Sequence, residues 1–412
     1  MSGIHRLVAT AAVLALASAG VVATSPGAEA QKAGAHQHAK EKAHKTAHKP
    51  KAHKTKAHKP VRHTKAHKPS KPKPPRIYAN GLLTPLSAAV ASDGTAYVTS
   101  NFAGQLLKIS PGKAPVVVYQ NPDGDEVGGV SVSGRSVRFT VTETDPTTDE
   151  NTDSWLYQLG PNGTARPIAD LYTYEEQTNA DQTTTYGFRS IDPTCSALWP
   201  TADNGPATYT GLVDSHPYAT AQVGGWTYVA DAGANAVFLV GPTGQVRTVA
   251  TLPAIPTTLT ADQASGLGLD PCFVGTTYWF EPVPTDVELG PFGQLYVTSL
   301  PGGPEGPELG PRGSVFTVNP FTHRTRQIVQ GFVGATGVAV APNGTLYVSE
   351  MFANKIDRVT FGRFGPRITT LATAPSPGAV EWTPWGVVAT TDVLSGTEEG
   401  TTPAAQLVKY GF

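Results

Sequence analysis

Beyond residue 76 apolar and polar side chains alternate in short runs, and one phrase of that alternation returns. A strand of small and β-branched residues leads into an Asp-Gly or Asn-Gly turn, and a second strand follows that carries an aromatic residue and Val. It reads Ala88-Ala89-Val90-Ala91-Ser92-Asp93-Gly94-Thr95-Ala96-Tyr97-Val98, and again Gly337-Val338-Ala339-Val340-Ala341-Pro342-Asn343-Gly344-Thr345-Leu346-Tyr347-Val348. Weaker copies run through 129–141, 219–229, 287–297 and 379–388, making six. Period-two patterning around such turns predicts hairpins. Two more strand-like runs follow each copy, as at 106–109 and 116–119 or at 355–359 and 367–371. Units of four antiparallel strands, about 40 residues long where undecorated, predict blades, because one sheet leaves two apolar faces wet and packing sheets around an axis covers both. The expected fold is therefore all-β, a six-bladed β-propeller of four-stranded antiparallel blades. The small residues of each first strand suit the crowding around a central channel. The last unit runs out at 406–410, its third strand, whereas 77–82 resembles an outermost strand, so the N-terminal strand is expected to close the ring.

The aromatic or Val anchors Tyr97, Phe139, Tyr228, Tyr296, Tyr347 and Val387 are unevenly spaced, and the excess lies in insertions near 171–215 and 253–283. Each insertion carries one of the two cysteines, Cys195 and Cys272. Two cysteines exclude a four-cysteine zinc site and a disulfide-rich scaffold. In an exported chain a bridge pinning the two loops is expected, with two free thiols as the alternative.

Residues 1–30 carry the marks of a signal peptide: a basic start ending at Arg6, an apolar stretch over 7–22, and Ala28-Glu29-Ala30 before Gln31. An uncleaved membrane anchor is the alternative, but the stretch is short and interrupted for a span. No second stretch approaches that length, so no transmembrane span is expected after cleavage. Residues 31–76 hold fifteen Lys or Arg, eight His and the single acid Glu41, in recurring Ala-His-Lys units with interspersed Pro. Val61 is their only apolar side chain larger than Ala, so this tail is expected to be disordered. It serves either as an adhesive for a cell-envelope polyanion or as a stiff, soluble spacer. Without aromatics to stack, no specific nucleic acid is expected as a partner. Residues 77–412 form the propeller domain, with fifteen Lys or Arg against thirty acids.

In each blade the turns between strands one and two and between three and four are short, whereas the long connections gather on the opposite rim. All but Asp93, Asp170, Glu288, Asp357 and Glu381 of the body acids are assigned to that long-loop rim. Loops on a rigid scaffold are where binding and catalysis gather. The ends of second strands and starts of first strands place Glu143, His216, Asp231, Asp286 and Glu350 near the channel mouth as candidate ligand-binding residues. Glu143, Asp231, Asp286 and Glu350 are candidate metal ligands, and their oxygen-rich chemistry favours Ca²⁺ or Mg²⁺ over Zn²⁺. His216 beside carboxylates suits a general base. Each has a plainer reading: Asp231 as a turn cap, His216 as a loop residue before Pro217, and Glu143 as a solvated acid. The body contains no Gly-rich phosphate loop, Gly-x-Ser-x-Gly elbow or His-Glu-x-x-His helix. The run Asp123-Gly124-Asp125-Glu126 is too short for an EF-hand loop.

The blade phrase at 337–348 followed by Asn354-Lys355-Ile356 is similar to an NHL-type propeller blade. The segments Asp214-Ser215-His216-Pro217-Tyr218, 284–291, 299–305 and 334–338 together resemble the ScyD/ScyE family of secreted propellers over about residues 77–412. That resemblance implies six blades and export, and carries over no catalytic residue; a Lys/His tail is not part of the pattern. Two functions follow as expectations. One is a monomeric secreted protein that binds a small molecule or protein on its acidic face. The other is a cation-dependent enzyme, a lactonase-like hydrolase or a catalyst of oxidative coupling, working at the same mouth.

Overall fold

The computed structural model describes residues 74–304, 306–398 and 400–411. The signal segment and residues 31–73 of the tail lie outside the described residues. The alternating runs become twenty-eight strands in seven four-stranded antiparallel sheets, with only short helices between them. After β1 (Arg76–Leu82) the first sheet takes β2 (Ala88–Val90), β3 (Ala96–Ser100), β4 (Gln105–Ile109) and β5 (Val116–Gln120). The second takes β6 (Glu126–Ser133), β7 (Ser136–Thr144), β8 (Asn151–Leu159) and β9 (Ala165–Asp170). Two short strands follow, β10 (Thr185–Phe188) and β11 (Thr208–Thr210), before the sheet of β12 (Pro217–Val223), β13 (Trp226–Asp231), β14 (Ala236–Val240) and β15 (Val246–Thr251). Another short pair, β16 (Ile255–Thr258) and β17 (Thr277–Phe280), precedes β18 (Pro284–Leu289), β19 (Leu295–Ser299), β20 (Gly313–Val318) and β21 (Thr325–Phe332). The next sheet is β22 (Ala335–Val340), β23 (Leu346–Glu350), β24 (Lys355–Gly362) and β25 (Gly365–Thr373), and the last strands are β26 (Val380–Thr383), β27 (Gly386–Thr391) and β28 (Ala405–Tyr410).

All six sequence repeats thus become the first hairpin of a sheet. The last sheet has the order β1-β28-β27-β26, with Ile77 opposite Val408 and Leu82 opposite Ala405, so the segment at 77–82 is an outermost strand beside the C-terminal one. First strands lie side by side: β2 beside β6, β6 beside β12, β12 beside β18, β18 beside β22, β22 beside β26, and β26 beside β2. The small residues there are required by that closeness. A Cβ on Gly129 of β6 would stand 2.5 Å from the Cα of Ala219 on β12. Apolar residues fill the space between consecutive sheets, as where Ala219, Val237 and Leu252 meet Val287, Val297 and Phe316. Burial is thus divided among several inter-sheet layers.

The seventh sheet was not foreseen, because the insertions were read as loops. It has the order β11-β10-β17-β16, so two segments far apart in sequence interleave. Their runs 185–188 and 277–280 are short and aromatic, and lack the Asp-Gly turn that marks the repeats. Phe188, Trp199, Phe273 and Tyr278 stack into a separate core. The disulfide Cys195–Cys272 joins the two insertions across 77 residues, as expected, and no free cysteine remains.

Candidate functional site

His216 precedes Pro217, where β12 begins, and is buried. Its Nε2 lies 2.9 Å from Oε2 of Glu126, at the start of β6 in the neighbouring sheet. The other carboxylate oxygen of Glu126 accepts a bond of 2.8 Å from Nδ2 of Asn101, just after β3. Asn101 Oδ1 in turn accepts 2.6 Å from the Thr99 hydroxyl. Residues from three sheets therefore form one polar chain. Burial opposes the imidazolium, but the charge and hydrogen bond of Glu126 outweigh it and push the His216 pKa up to about 9. Burial also opposes the Glu126 carboxylate, and His216 outweighs that in the same way, holding its pKa below the ordinary value. The pair is ionised at neutral pH. His216 Nδ1 is buried and has no hydrogen-bond partner among the described residues. The Tyr218 ring meets the imidazole edge-on, 5.5 Å between centroids.

Asp231, at the end of β13, braces this segment. Its Oδ1 accepts from the backbone N–H groups of His216, at 2.8 Å, and Ala234, at 3.1 Å, and its Oδ2 accepts from the Ser215 hydroxyl at 2.6 Å. Burial pushes its pKa up to about 6 in spite of those bonds. The capping reading of Asp231 describes its contacts, and those contacts fix the backbone of His216.

The first strands enclose a narrow cavity of about 10 Å³ lined by Ser87, Thr220, Thr285, Asp286, Glu288 and Glu381 among others, space for roughly one water molecule. Asp286 and Glu288, two apart on β18, share a strand face. Asp286 accepts from the backbone of Val287 at 2.8 Å and from Val338 on β22 at 2.7 Å, so it ties two first strands together. Burial pushes its pKa up to about 7. Glu288 is raised by burial and by Asp286, and Glu381 by burial and by both other acids. Glu350 is buried at the end of β23, where Oε2 accepts from the Val333 N–H at 2.8 Å and Oε1 meets Lys355 at 2.9 Å. Glu143 is exposed on β7, opposite Asp153. Of the five predicted residues, then, His216 and Asp231 touch. Asp286, Glu350 and Glu143 have other surroundings, and among the described residues no group of three or more His, Cys, Asp or Glu is arranged to hold a metal ion.

Sequence reasoning missed Glu126, Asn101, Glu288 and Glu381. Glu126 stood in a run judged only as a calcium loop. The pair Asp286-x-Glu288 did carry a signal, since its spacing of two puts both acids on one strand face. A further buried acidic group sits between β17 and the insertion helix Tyr172–Thr178. Tyr209 donates to Glu281 at 3.0 Å, and Tyr186 and Asn235 donate to Asp181 at 2.8 and 3.0 Å. Burial pushes Asp181 up to about 6 and Glu281 well above its ordinary value.

Among solved structures the chain is similar to a glucose dehydrogenase from Thermus thermophilus, with a TM-score of 0.50 and 13% identity over 82% of this chain and 100% of that one. All of these relatives are propellers. The chain is a β-propeller. Others include virginiamycin B lyase from Staphylococcus aureus, with a TM-score of 0.43 and 14% identity over 77% of this chain and 81% of that one. The PQQ-bound aldose sugar dehydrogenase from Streptomyces coelicolor has a TM-score of 0.47 and 10% identity over 83% of this chain and 99% of that one. Identities this low speak for the propeller fold alone. No family model matches the chain. No curated protein matches it either. Among the described residues no helix is long and apolar enough to cross a membrane.

Proposed function

We propose that this propeller is an exported binding protein of the ScyD/ScyE type, whose ligand seats at the channel mouth against the His216–Glu126 pair. Six of its sheets act as blades, β1 closes the ring in the last of them, and the seventh sheet decorates the long-loop rim. The cycle of side-by-side first strands supports the blade count, and the β1–β28 pairing supports the closure. The disulfide is compatible with export to an oxidising compartment. In this reading the tail of residues 31–76 attaches the domain to an envelope polyanion.

One observation carries the binding site: a charged imidazole, held in place from three sheets, with a buried Nδ1 that no described residue satisfies. A buried donor without an acceptor is costly, and a ligand oxygen at that position relieves the cost. Asp214 and Asp231 add negative charge around His216. The ligand class that suits both facts is a neutral or zwitterionic small molecule presenting a carbonyl or hydroxyl oxygen. Cation-dependent catalysis has weaker support, because Asp231, Asp286 and Glu350 already direct carboxylate oxygens to backbone N–H groups. The test is capture from the native medium: wild-type protein and H216A are incubated, repurified and extracted for mass spectrometry. A small molecule retained by wild type and absent from H216A is expected. Equal extracts from two equally folded proteins overturn the site.

A further inference from the structure

The short-turn rim is unlike the rest of the surface. Phe292, at the turn between β18 and β19, Phe321, between β20 and β21, and Phe364, between β24 and β25, are 106%, 83% and 99% exposed. Phe361 joins them at the end of the long β24–β25 hairpin, where residues 361–370 are all exposed. These turns lie together: a groove of about 670 Å³ runs from Gln294 and Tyr296 past Asn319, Arg324 and Arg326 to Phe361. The segments 289–296, 319–328 and 358–373 contain Arg324, Arg326, Arg358, Arg363 and Arg367 and no Asp or Glu. All five arginines are exposed.

We propose that this rim docks on an anionic lipid surface, with Phe292, Phe321 and Phe364 entering the boundary between headgroups and acyl chains while Arg324, Arg326, Arg363 and Arg367 pair with lipid phosphates. Charge complementarity argues for an anionic partner, and the planar guanidinium fork matches phosphate in particular. The aromatics decide which anionic partner. A phenyl ring has no polar tip to bond the hydroxyls of a glycan, and one left wholly in water gains by transfer to an apolar medium. Phenyl tips ringed by cations suit the bilayer interface. The surface is separate from the His216 mouth, so it bears on where the protein sits rather than on what it binds there.

The tail is itself cationic, so the test must isolate the rim within the full chain. Cosedimentation is measured with vesicles of phosphatidylcholine alone and of phosphatidylcholine containing phosphatidylglycerol, and binding to soluble polyglutamate is measured in parallel. Wild type is expected to favour the phosphatidylglycerol vesicles, and the F292S/F321S/F364S variant to partition about tenfold less at an unchanged melting temperature. F364W tryptophan fluorescence is expected to be quenched by brominated acyl chains, a readout that stands if the triple variant folds poorly. Vesicle binding by the folded triple variant equal to wild type overturns the proposal and assigns adhesion to the tail. So does an unquenched F364W, and so does an equal loss of vesicle and polyglutamate binding in the triple variant, which identifies a soluble polyanion as the partner.

Discussion

At the scale of single residues the molecule turns on buried charge, and His216 shows how pairing reverses the effect of burial. Its folded pKa of about 9 stands above the ordinary 6.5. Its contribution to stability is therefore complete below 6.5 and is lost as pH rises through about 9. Glu126 runs the other way: its pKa is lowered from 4.5, so its contribution is present above that value and is lost in more acidic solution. Replacing Glu126 with Gln leaves burial unopposed. NMR titration of E126Q is expected to put the His216 pKa below 6.5, with a stability loss of about 3 kcal/mol near pH 6 that shrinks towards pH 10. A His216 that still titrates near 9 in E126Q would assign the shift to Asp214 and Asp231 instead. The sequence placed His216 and Asp231 near one another because both flank the first hairpin of one unit. It did not reveal Glu126, since that partner is 90 residues away and only the neighbouring sheet brings it in.

Among the elements, two depend on long-range contacts. β1 places Ala79 and Leu82 in the layer that also holds Ala88, Val98 and Leu407. Deleting residues 76–82 exposes that layer and leaves β28 an open edge. The melting temperature of the whole propeller is expected to fall by about 10 °C, and a truncated protein that melts like wild type would detach β1 from the closure. The second element is the sheet built from the insertions. Its bridge closes a loop of 77 residues, a constraint worth about 4 kcal/mol in the chain-entropy account. In the C195S/C272S variant, amide exchange is expected to speed up over β10, β11, β16 and β17 while the β22–β25 sheet keeps its protection. Uniform acceleration would instead make the bridge a global clamp. The repeats could be read because each carries its own turn and strand alternation. The extra sheet could not, because its strands pair with partners in the other insertion, and no local pattern records that pairing.

For the whole molecule, the division of charge matters more than its near-zero sum. The formal net charge is −1, yet residues 31–76 supply fifteen cations against one acid and residues 77–412 thirty acids against fifteen cations. Removing 31–73 is expected to delay elution from an anion exchanger and to abolish retention on a teichoic-acid column, retention that salt weakens in the full chain. Unchanged retention would locate the adhesive surface in the propeller. Within the propeller the cationic aromatic rim and the acids near His216 sit on different structures, one built of short turns and the other of strand starts and long connections.

The amino-acid sequence by itself determined the sheet class, the six repeated hairpins, the outermost place of the first strand and the pairing of the two cysteines, because these follow from alternation, turn chemistry and counting. Tertiary structure alone decided that the insertions form a sheet and that Glu126 charges His216. It also tied Asp231, Asp286 and Glu350 to backbone partners and set Glu288 and Glu381 beside Asp286. Hydrophobic period and turn residues act over a few positions and are written locally, whereas a carboxylate's partner depends on which strands pack side by side, and that is settled only when the sheets assemble.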